Sequence, residues 1–504
     1  MSQYMVIYGR AITRGHAVKS KLHEYTMIAN KPFRIVILGA GYAGMFLAIN
    51  LYQTFKERST GERNGKDSPA DVEIILVDRN PYHQLLQEIH LVAAGYRTAE
   101  QISIPITSLI KGTKIRFIQS NVKEVITYDN KVILDESMIN YDLAAICLGS
   151  TTKYFGIEGA KSNTIPFRSI DDAVLVHKKI QSLFPSKRSN TINNIKKRDD
   201  GVKKRTKNKD NNINIVIVGG GATGVSLGGA IADFLNDETI LEEHFSSTHI
   251  EINFNVTIVE ATSNILTGWN SELASKAQTI LASKGVRILT NSEVSNIEHD
   301  NLILKDGSII DSSLIVWTAG VKGYEIKITP PTDKAKDGRI IVNGFCQIDK
   351  YPNIFVIGDI AAVKDSQGKL YPPIAQIAVR EAKYLADVIP KHFSKFKYEN
   401  NNINIKNVIT LKHQDVFDYD IKVQIISLGA DDYVGLFGSH VINGNLAKMI
   451  DEFGKFAYVK TLKTRGEGFS SKLYEDSMLS RMIAGISFAG FAFAKWIDLA
   501  GLGE

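Results

Sequence analysis

Apolar and polar positions alternate along this chain in a repeating order: a short apolar run, glycines, then a longer stretch of helix formers. Phe33–Leu38 (FRIVIL) is apolar except for Arg34 and too short for a core helix, so it reads as a fully buried parallel strand. Met45–Leu51 continues as a helix, and Val72–Val77 is a second strand ending in Asp78. Tyr141–Ser150 is a further buried strand, ending in Gly149-Ser150. Near the middle of the chain the order returns, with strand Ile213–Val218, helix Val225–Leu235 and strand Phe254–Val259 ending in Glu260. Leu314–Gly320 and Pro352–Asp359 each read as a strand closing on a glycine turn, and Pro373–Ala382 opens another helix. This alternation predicts an α/β fold with two parallel sheets. Smaller elements are expected between them. Leu85–Ala94 leads from a turn into a helix, and Ile115–Val122 with Lys131–Leu134 suggests an antiparallel hairpin. Val408–Phe437 holds strand-like runs, with turns expected at Gly429–Asp432 and at Gly435.

The two strand–helix junctions carry the chemistry. Gly39-Ala40-Gly41-Tyr42-Ala43-Gly44 and Gly219-Gly220-Gly221-Ala222-Thr223-Gly224 are both G-x-G-x-x-G loops. In such a loop the first glycine makes the tight turn, the second lets backbone approach a pyrophosphate, and the third lets helix and strand pack closely. The helix N-terminus that follows offers unpaired N–H groups to the phosphates. Asp78 and Glu260 end the next strand of each unit and are suited to a ribose diol. The spacing exceeds the usual ~20 residues because hydrophilic insertions, Lys56–Ala70 and Asn236–Ile252, lengthen both units. Glu260 would repel a 2′-phosphate, which points to NAD(H) and not NADP(H). Two fingerprints in one chain suggest that one cofactor passes a hydride to the other, with a flavin at the first and nicotinamide at the second. Asp359 beside Gly358 is placed for a flavin ribityl hydroxyl, and the helix opening near Gln376 could face the flavin ring. His83, just after the second strand, is either a cofactor contact or a satisfied histidine.

Composition adjusts this picture at a few places. A chain of 504 residues is long enough for two or three domains. Its formal charge of +6 is local, because Ser186–Asn212 alone holds ten Lys/Arg and three Asp. That Asn-rich stretch reads first as a solvated surface loop and second as a contact for anionic lipid. No aromatics interleave its charges, so no nucleic-acid partner is expected. Two cysteines, Cys147 and Cys346, without a C-x-x-C, argue for a reducing compartment and against dithiol chemistry. Residues 1–30 are basic and lack an apolar signal core, which leaves a transit peptide or a simple extension. Near the other end, Met482–Ala494 runs thirteen residues without a charge. As a helix it measures about 20 Å against roughly 30 Å for a bilayer core. With Phe488, Phe491, Phe493 and Trp496 it fits an in-plane anchor spanning 479–501, or else a core or dimer-interface helix.

The set Gly39–Gly44, Asp78, Gly149, Gly219–Gly224, Glu260, Trp317–Gly320, Gly358-Asp359 and Ala375–Ala378 resembles the type II NADH dehydrogenases, over about Lys31–Asp387. These are non-proton-pumping NADH:quinone oxidoreductases on a glutathione-reductase-like fold. The resemblance implies two Rossmann-type domains plus a C-terminal membrane-associating segment. It divides the chain into an extension (1–30), an FAD domain in two parts (31–150 and 320–392), an NADH domain (151–319) and a C-terminal domain (393–504). It implies that Gly39, Gly41, Gly44, Asp78 and Asp359 hold FAD and that Gly219, Gly221, Gly224 and Glu260 hold NADH. Tyr42, Ala43, Arg79, Gly149, Ala222, Thr223, Gly320, Gly358 and Gln376 complete the expected cofactor-binding set, with Gln376 and Arg380 at the quinone. Two positions depart from the family. Its second Gln in A-Q-x-A-x-Q is Arg380 here, and its G-V-E at the nicotinamide helix is Gly224-Val225-Ser226. The expected state is a homodimer held peripherally on the cytoplasmic face of a membrane, or on the mitochondrial inner membrane. Rival readings are sulfide:quinone oxidoreductase, a reductase of a small electron-carrier protein, and a slow-turnover NADH-binding flavoprotein.

Overall fold

The computed structural model describes residues 32–60, 72–184, 212–237, 239, 253–393, 416–421 and 423–465. The expected N-terminal extension, basic insertion and 479–501 anchor lie outside the described residues, as does most of the two hydrophilic insertions.

The central strand β1 (Phe33–Leu38) carries β-branched residues on both faces, and Ile35–Leu38 are fully buried. Such a strand is stable only between two covered faces, which a parallel sheet supplies. β2 (Val72–Asp78) pairs with it in parallel, Leu38 against Val77. Next to β2 lies β3 (Arg116–Gln119), and on the far side of β1 lies β4 (Leu143–Ile146). β9 (Tyr351–Val356) then pairs in parallel with β4. The sheet order is thus Gln347–Ile348, β9, β4, β1, β2, β3, drawing strands from before and after the second unit.

The second sheet repeats this plan. β5 (Asn212–Val218) lies between β6 (Asn253–Val259) and β8 (Leu314–Trp317), with β7 (Arg287–Leu289) beyond β6. Helix α1 (Tyr42–Thr60) follows β1 and α2 (Ala222–Asn236) follows β5. α3 (Ala375–Phe393) packs along α1, so two helices start side by side above the first sheet. The C-terminal part is a three-stranded antiparallel sheet, β10 (Val423–Ser427), β11 (Tyr433–Phe437) and β12 (His440–Asn443), followed by α4 (Gly444–Arg465).

Three expectations change. Ile115–Val122 is not one strand of a hairpin. It breaks at Ser120-Asn121, where the Asp135 carboxylate accepts the Asn121 N–H at 2.9 Å. The part before the break joins the parallel sheet, and Val122–Ile126 alone pairs antiparallel with Lys131–Leu134. Gly435 is not a turn but sits within β11 opposite Ile425, where a Cβ would come 2.8 Å from the Ile425 side chain. The Lys56–Ala70 stretch is not wholly an insertion, since α1 runs on to Thr60.

α4 is fastened by buried charge. The Lys455 ammonium lies 2.7 Å from Asp451, 3.3 Å from Glu452 and 3.4 Å from Glu88, and Arg97 reaches the other Glu88 oxygen at 3.4 Å. Charges buried this deeply persist only when each has a partner. Burial raises the Asp451 carboxyl, against the pull of Lys455. Among the described residues no helix is long and apolar enough to cross a membrane, and no cluster of His, Cys, Asp or Glu could hold a metal ion.

Candidate nucleotide and acceptor sites

The two glycine loops fold alike, and contacts explain each residue. Gly39 turns with φ +102°, and a Cβ there would lie 2.4 Å from the Cys147 carbonyl. A Cβ on Gly44 would stand 1.8 Å from the Gly39 carbonyl. A Cβ on Gly41 would meet nothing within 4 Å. In the second loop Gly219 (φ +112°) and Gly224 (1.9 Å from the Gly219 carbonyl) are confined, while Gly221 is open. The outer glycines therefore serve the fold, and the middle one faces a cradle at the start of a helix. That combination fits a pyrophosphate.

Each loop also binds its acidic partner. The Asp78 carboxylate accepts N–H groups from Ala40 at 2.7 Å and Asn80 at 2.8 Å. Burial raises its pKa against those hydrogen bonds. Glu260 accepts the Gly220 N–H at 2.7 Å, the Thr262 N–H at 2.8 Å and the Thr262 hydroxyl at 2.9 Å. Both carboxylates thus stand at the mouth of their loop, beside where an adenosine ribose would lie. Arg79 is exposed at the strand end. Ala222 and Thr223 form the first turn of α2.

The third strand of each unit closes its cradle. Gly149 (φ +71°) follows β4 with open space beside it. Gly320 (φ +69°) follows β8, where a Cβ would lie 2.5 Å from the Phe155 ring. Gly358 brings three elements together: its Cβ would lie 3.2 Å from that of Ala43 and 3.7 Å from that of Ala378. Asp359 accepts the Ser150 hydroxyl at 2.8 Å and lies 3.4 Å from Arg168, which also bonds Ser150. Ser150 and Arg168 were not singled out from the sequence, because Arg168 lies far from Asp359 in the chain and belongs to no motif. Gly41 and Gly149, each with open space beside it, and Asp359 are groups that suit FAD, with donors for phosphate and an acceptor for ribityl hydroxyls.

Glu381 is a third residue that sequence reasoning missed. It is 2% exposed on α3, and its carboxyl accepts the Gly358 N–H at 2.5 Å. Burial pushes its pKa up to about 8. Cys147 and Cys346 are both buried free thiols, pushed up by burial and by Glu381. A thiol relay needs accessible thiolate, so these cysteines do not fit the sulfide chemistry held open by the sequence.

His83 is a satisfied core histidine. Its Nδ1 lies 2.9 Å from the Ala40 carbonyl and its Nε2 lies 3.1 Å from the Tyr458 hydroxyl of α4. Burial lowers its pKa to about 4, so the ring is neutral at pH 7. It supports the loop from behind, its ring packed against those of Tyr42 and Tyr458, which also touch each other. Ser226 is also explained by packing. Its hydroxyl donates to the Ser427 carbonyl of β10 at 2.6 Å, and a Cβ on nearby Gly229 would stand 2.0 Å from the Leu428 carbonyl. The C-terminal sheet presses on this face of α2.

Gln376 and Arg380, one turn apart on α3, meet at Tyr419 from the C-terminal part. The Gln376 amide donates to the Tyr419 hydroxyl at 3.1 Å. The Arg380 guanidinium lies 4.8 Å from the centre of the Tyr419 ring. The signal for Tyr419 was present only as the aromatic pair Phe417 and Tyr419, in a stretch without a readable motif.

Comparison with known proteins places this arrangement. A type II NADH:quinone oxidoreductase of Staphylococcus aureus (strain bovine RF122 / ET3-1) is 26% identical over 427 residues, covering 83% of this chain and 94% of the relative. The solved structure of NDH2 from Plasmodium falciparum in complex with NADH shares the fold with a TM-score of 0.68 at 16% identity, covering 91% of this chain and 99% of that one. The sulfide:quinone oxidoreductase of Aquifex aeolicus shares it with a TM-score of 0.62 at 18% identity, covering 89% and 95%. Residues 33–382 match the family model described as pyridine nucleotide-disulphide oxidoreductase. With two matched dinucleotide cradles spanning that range, the chain belongs to the pyridine nucleotide-disulphide oxidoreductase family.

Proposed function

We propose that this chain is a type II NADH dehydrogenase that oxidises NADH through bound FAD and reduces a quinone without pumping protons. The observation that carries the reading is the pair of equivalent cradles, each with an open middle glycine and a carboxylate bonded to its loop. Two such cradles in one chain suit two dinucleotides, one of which passes electrons to the other. The overall reaction balances as NADH, a proton and quinone giving NAD+ and quinol. When bound, FAD supplies a carrier that takes two electrons from one substrate and gives them to the other.

The residues then divide as follows. The Gly41 backbone and the start of α1 bind the FAD pyrophosphate, Asp78 its adenosine ribose, and Asp359 its ribityl chain. Gly149 lets the chain pass close to the ring. Gly221, Ala222, Thr223 and the start of α2 bind the NADH pyrophosphate, while Glu260 holds the ribose diol and excludes a 2′-phosphate. Gly320 closes that site. Holding both dinucleotides on one chain would supply the positioning that hydride transfer requires. Gln376 and Arg380 face the acceptor. The match across 83% of this chain and 94% of the Staphylococcus relative supports a shared architecture, and that relative's NADH:quinone activity supports the choice of quinone. A quinone is a lipid-phase substrate, so we place the protein as a peripheral membrane homodimer anchored through 479–501.

The test is anaerobic. NADH should bleach the flavin absorbance of the purified protein, and a short-chain quinone should restore it at catalytic rate. Bleaching without restoration by any quinone would remove the acceptor assignment and leave the NADH–flavin half.

A further inference from the structure

The acceptor residues Gln376 and Arg380 do not stand alone, and what holds them comes from a different part of the chain. Tyr419 lies in the segment just before β10, yet its hydroxyl takes the Gln376 amide and its ring face takes Arg380. Its own backbone is fixed. The Tyr419 N–H donates to the Tyr371 hydroxyl at 2.8 Å, and that hydroxyl donates to Asp418 at 2.9 Å. Phe417 packs edge-on against Tyr371, with ring centres 5.4 Å apart. Tyr371 belongs to the turn that leads into α3, so the mount for Tyr419 and the helix carrying Gln376 and Arg380 are tied to one another.

We propose that Tyr419 is a positioning residue for the acceptor site, fixing the Gln376 amide through its hydroxyl and the Arg380 guanidinium through its ring. The inference rests on the reading that Gln376 and Arg380 face the acceptor. A lone arginine on a helix surface samples many rotamers. Stacked on an aromatic face, its planar head loses much of that freedom while its N–H edge stays available. A guanidinium so held can donate to an acceptor oxygen as negative charge builds there during two-electron reduction, without reorganising at that moment. Gln376 is likewise turned: with its Nε2 committed to Tyr419, its Oε1 is left to accept from the acceptor or a proton donor. Arg380, which breaks the family's glutamine pattern, thereby has a partner suited to a cation.

Two substitutions separate the hydroxyl from the ring. Tyr419→Phe keeps the stacking surface and loses the bond to Gln376. Tyr419→Leu loses both. The FAD-loaded protein is assayed in two halves by stopped flow, bleaching by NADH and reoxidation by a short-chain quinone. Calorimetric titration of the oxidised protein with the same quinone, without NADH, gives binding independent of turnover. The Phe variant should slow quinone reoxidation about 5-fold, the effect of one neutral hydrogen bond, and the Leu variant about 30-fold as the cation–π contact is also lost. Bleaching by NADH should stay within about twofold in both. In an Arg380→Gln background, Phe and Leu at 419 should become equivalent, because the ring then has no cation to hold. Equal slowing of both halves would mean that Tyr419 merely supports the fold, and wild-type reoxidation and quinone binding in Tyr419→Leu would end the proposal. If Arg380→Gln and Gln376→Leu themselves leave quinone binding and reoxidation intact, the acceptor-site reading fails first.

Discussion

The middle glycine of each loop offers the sharpest test of the cofactor assignment, because fold and ligand make opposite demands on it. Consider Gly41→Ala. The added methyl meets no protein atom within 4 Å. Stability of the FAD-free protein should therefore stay within about 1 kcal/mol of wild type, the ordinary range for a Gly-to-Ala change without strain. The methyl would, however, stand between the backbone N–H groups and a pyrophosphate. Weakening about two charge-assisted hydrogen bonds of roughly 1.5–3 kcal/mol each removes about 3–6 kcal/mol of binding, or 10²- to 10⁴-fold in Kd. Gly44→Ala is the contrasting case. Its methyl lies 1.8 Å from the Gly39 carbonyl, so helix and loop must separate and the fold itself weakens, by about 1–3 kcal/mol or more. Flavin fluorescence quenching on titration gives Kd, and urea unfolding of the FAD-free proteins gives stability. If Gly41→Ala binds FAD as wild type does, the pyrophosphate is not where this reasoning puts it. If Gly44→Ala leaves stability untouched, the packing account of the loop is wrong.

Other perturbations follow from the same geometry. Glu260→Gln should raise the KM for NADH about 5- to 30-fold, by weakening hydrogen bonds to the ribose worth about 1–2 kcal/mol, and should narrow the preference for NADH over NADPH; steady-state kinetics with both dinucleotides reads this. Lys455→Met should cost about 3–5 kcal/mol, since it leaves Glu88 and Glu452 buried, and Asp451 half-buried, without their shared cation. Thermal unfolding of the variant beside wild type reads this loss. Glu381 has its carboxyl raised from 4.5 to about 8 by burial, so the folded state holds a proton that the unfolded state releases. Stability should therefore fall as pH rises from about 4.5 to 8, with a slope approaching 1.4 kcal/mol per pH unit, and Glu381→Gln should remove that component from urea midpoints measured across the range.

Much of this protein was legible in the sequence because its information is local. FRIVIL followed by G-x-G-x-x-G specifies a buried strand, a tight turn and a helix within a dozen residues, and the same holds at Ile213–Gly224. Asp78 and Glu260 were found because a strand end is a fixed place relative to its neighbour. Where a run was continuous in sequence but broken by a side chain from elsewhere, as at Ser120-Asn121 under Asp135, the reading failed. Gly435 misled for a related reason: it resembles a turn residue, yet it is needed to fit Ile425 across the sheet. Ser226 looked like a lost functional group, and its partner on β10 lies some two hundred residues away.

The sequence by itself determined two dinucleotide cradles, their order and the carboxylate in each, since each depends on contacts within one strand–turn–helix unit. Only the tertiary structure decided what surrounds them. It set Arg168 and Ser150 on Asp359, buried Glu381 under Gly358, turned His83 into a prop for the first loop, and brought Tyr419 to Gln376 and Arg380. These pairings carry no spacing or periodicity in the chain, because they arise where separate elements pack, and packing is decided by the whole core rather than by any one stretch of it.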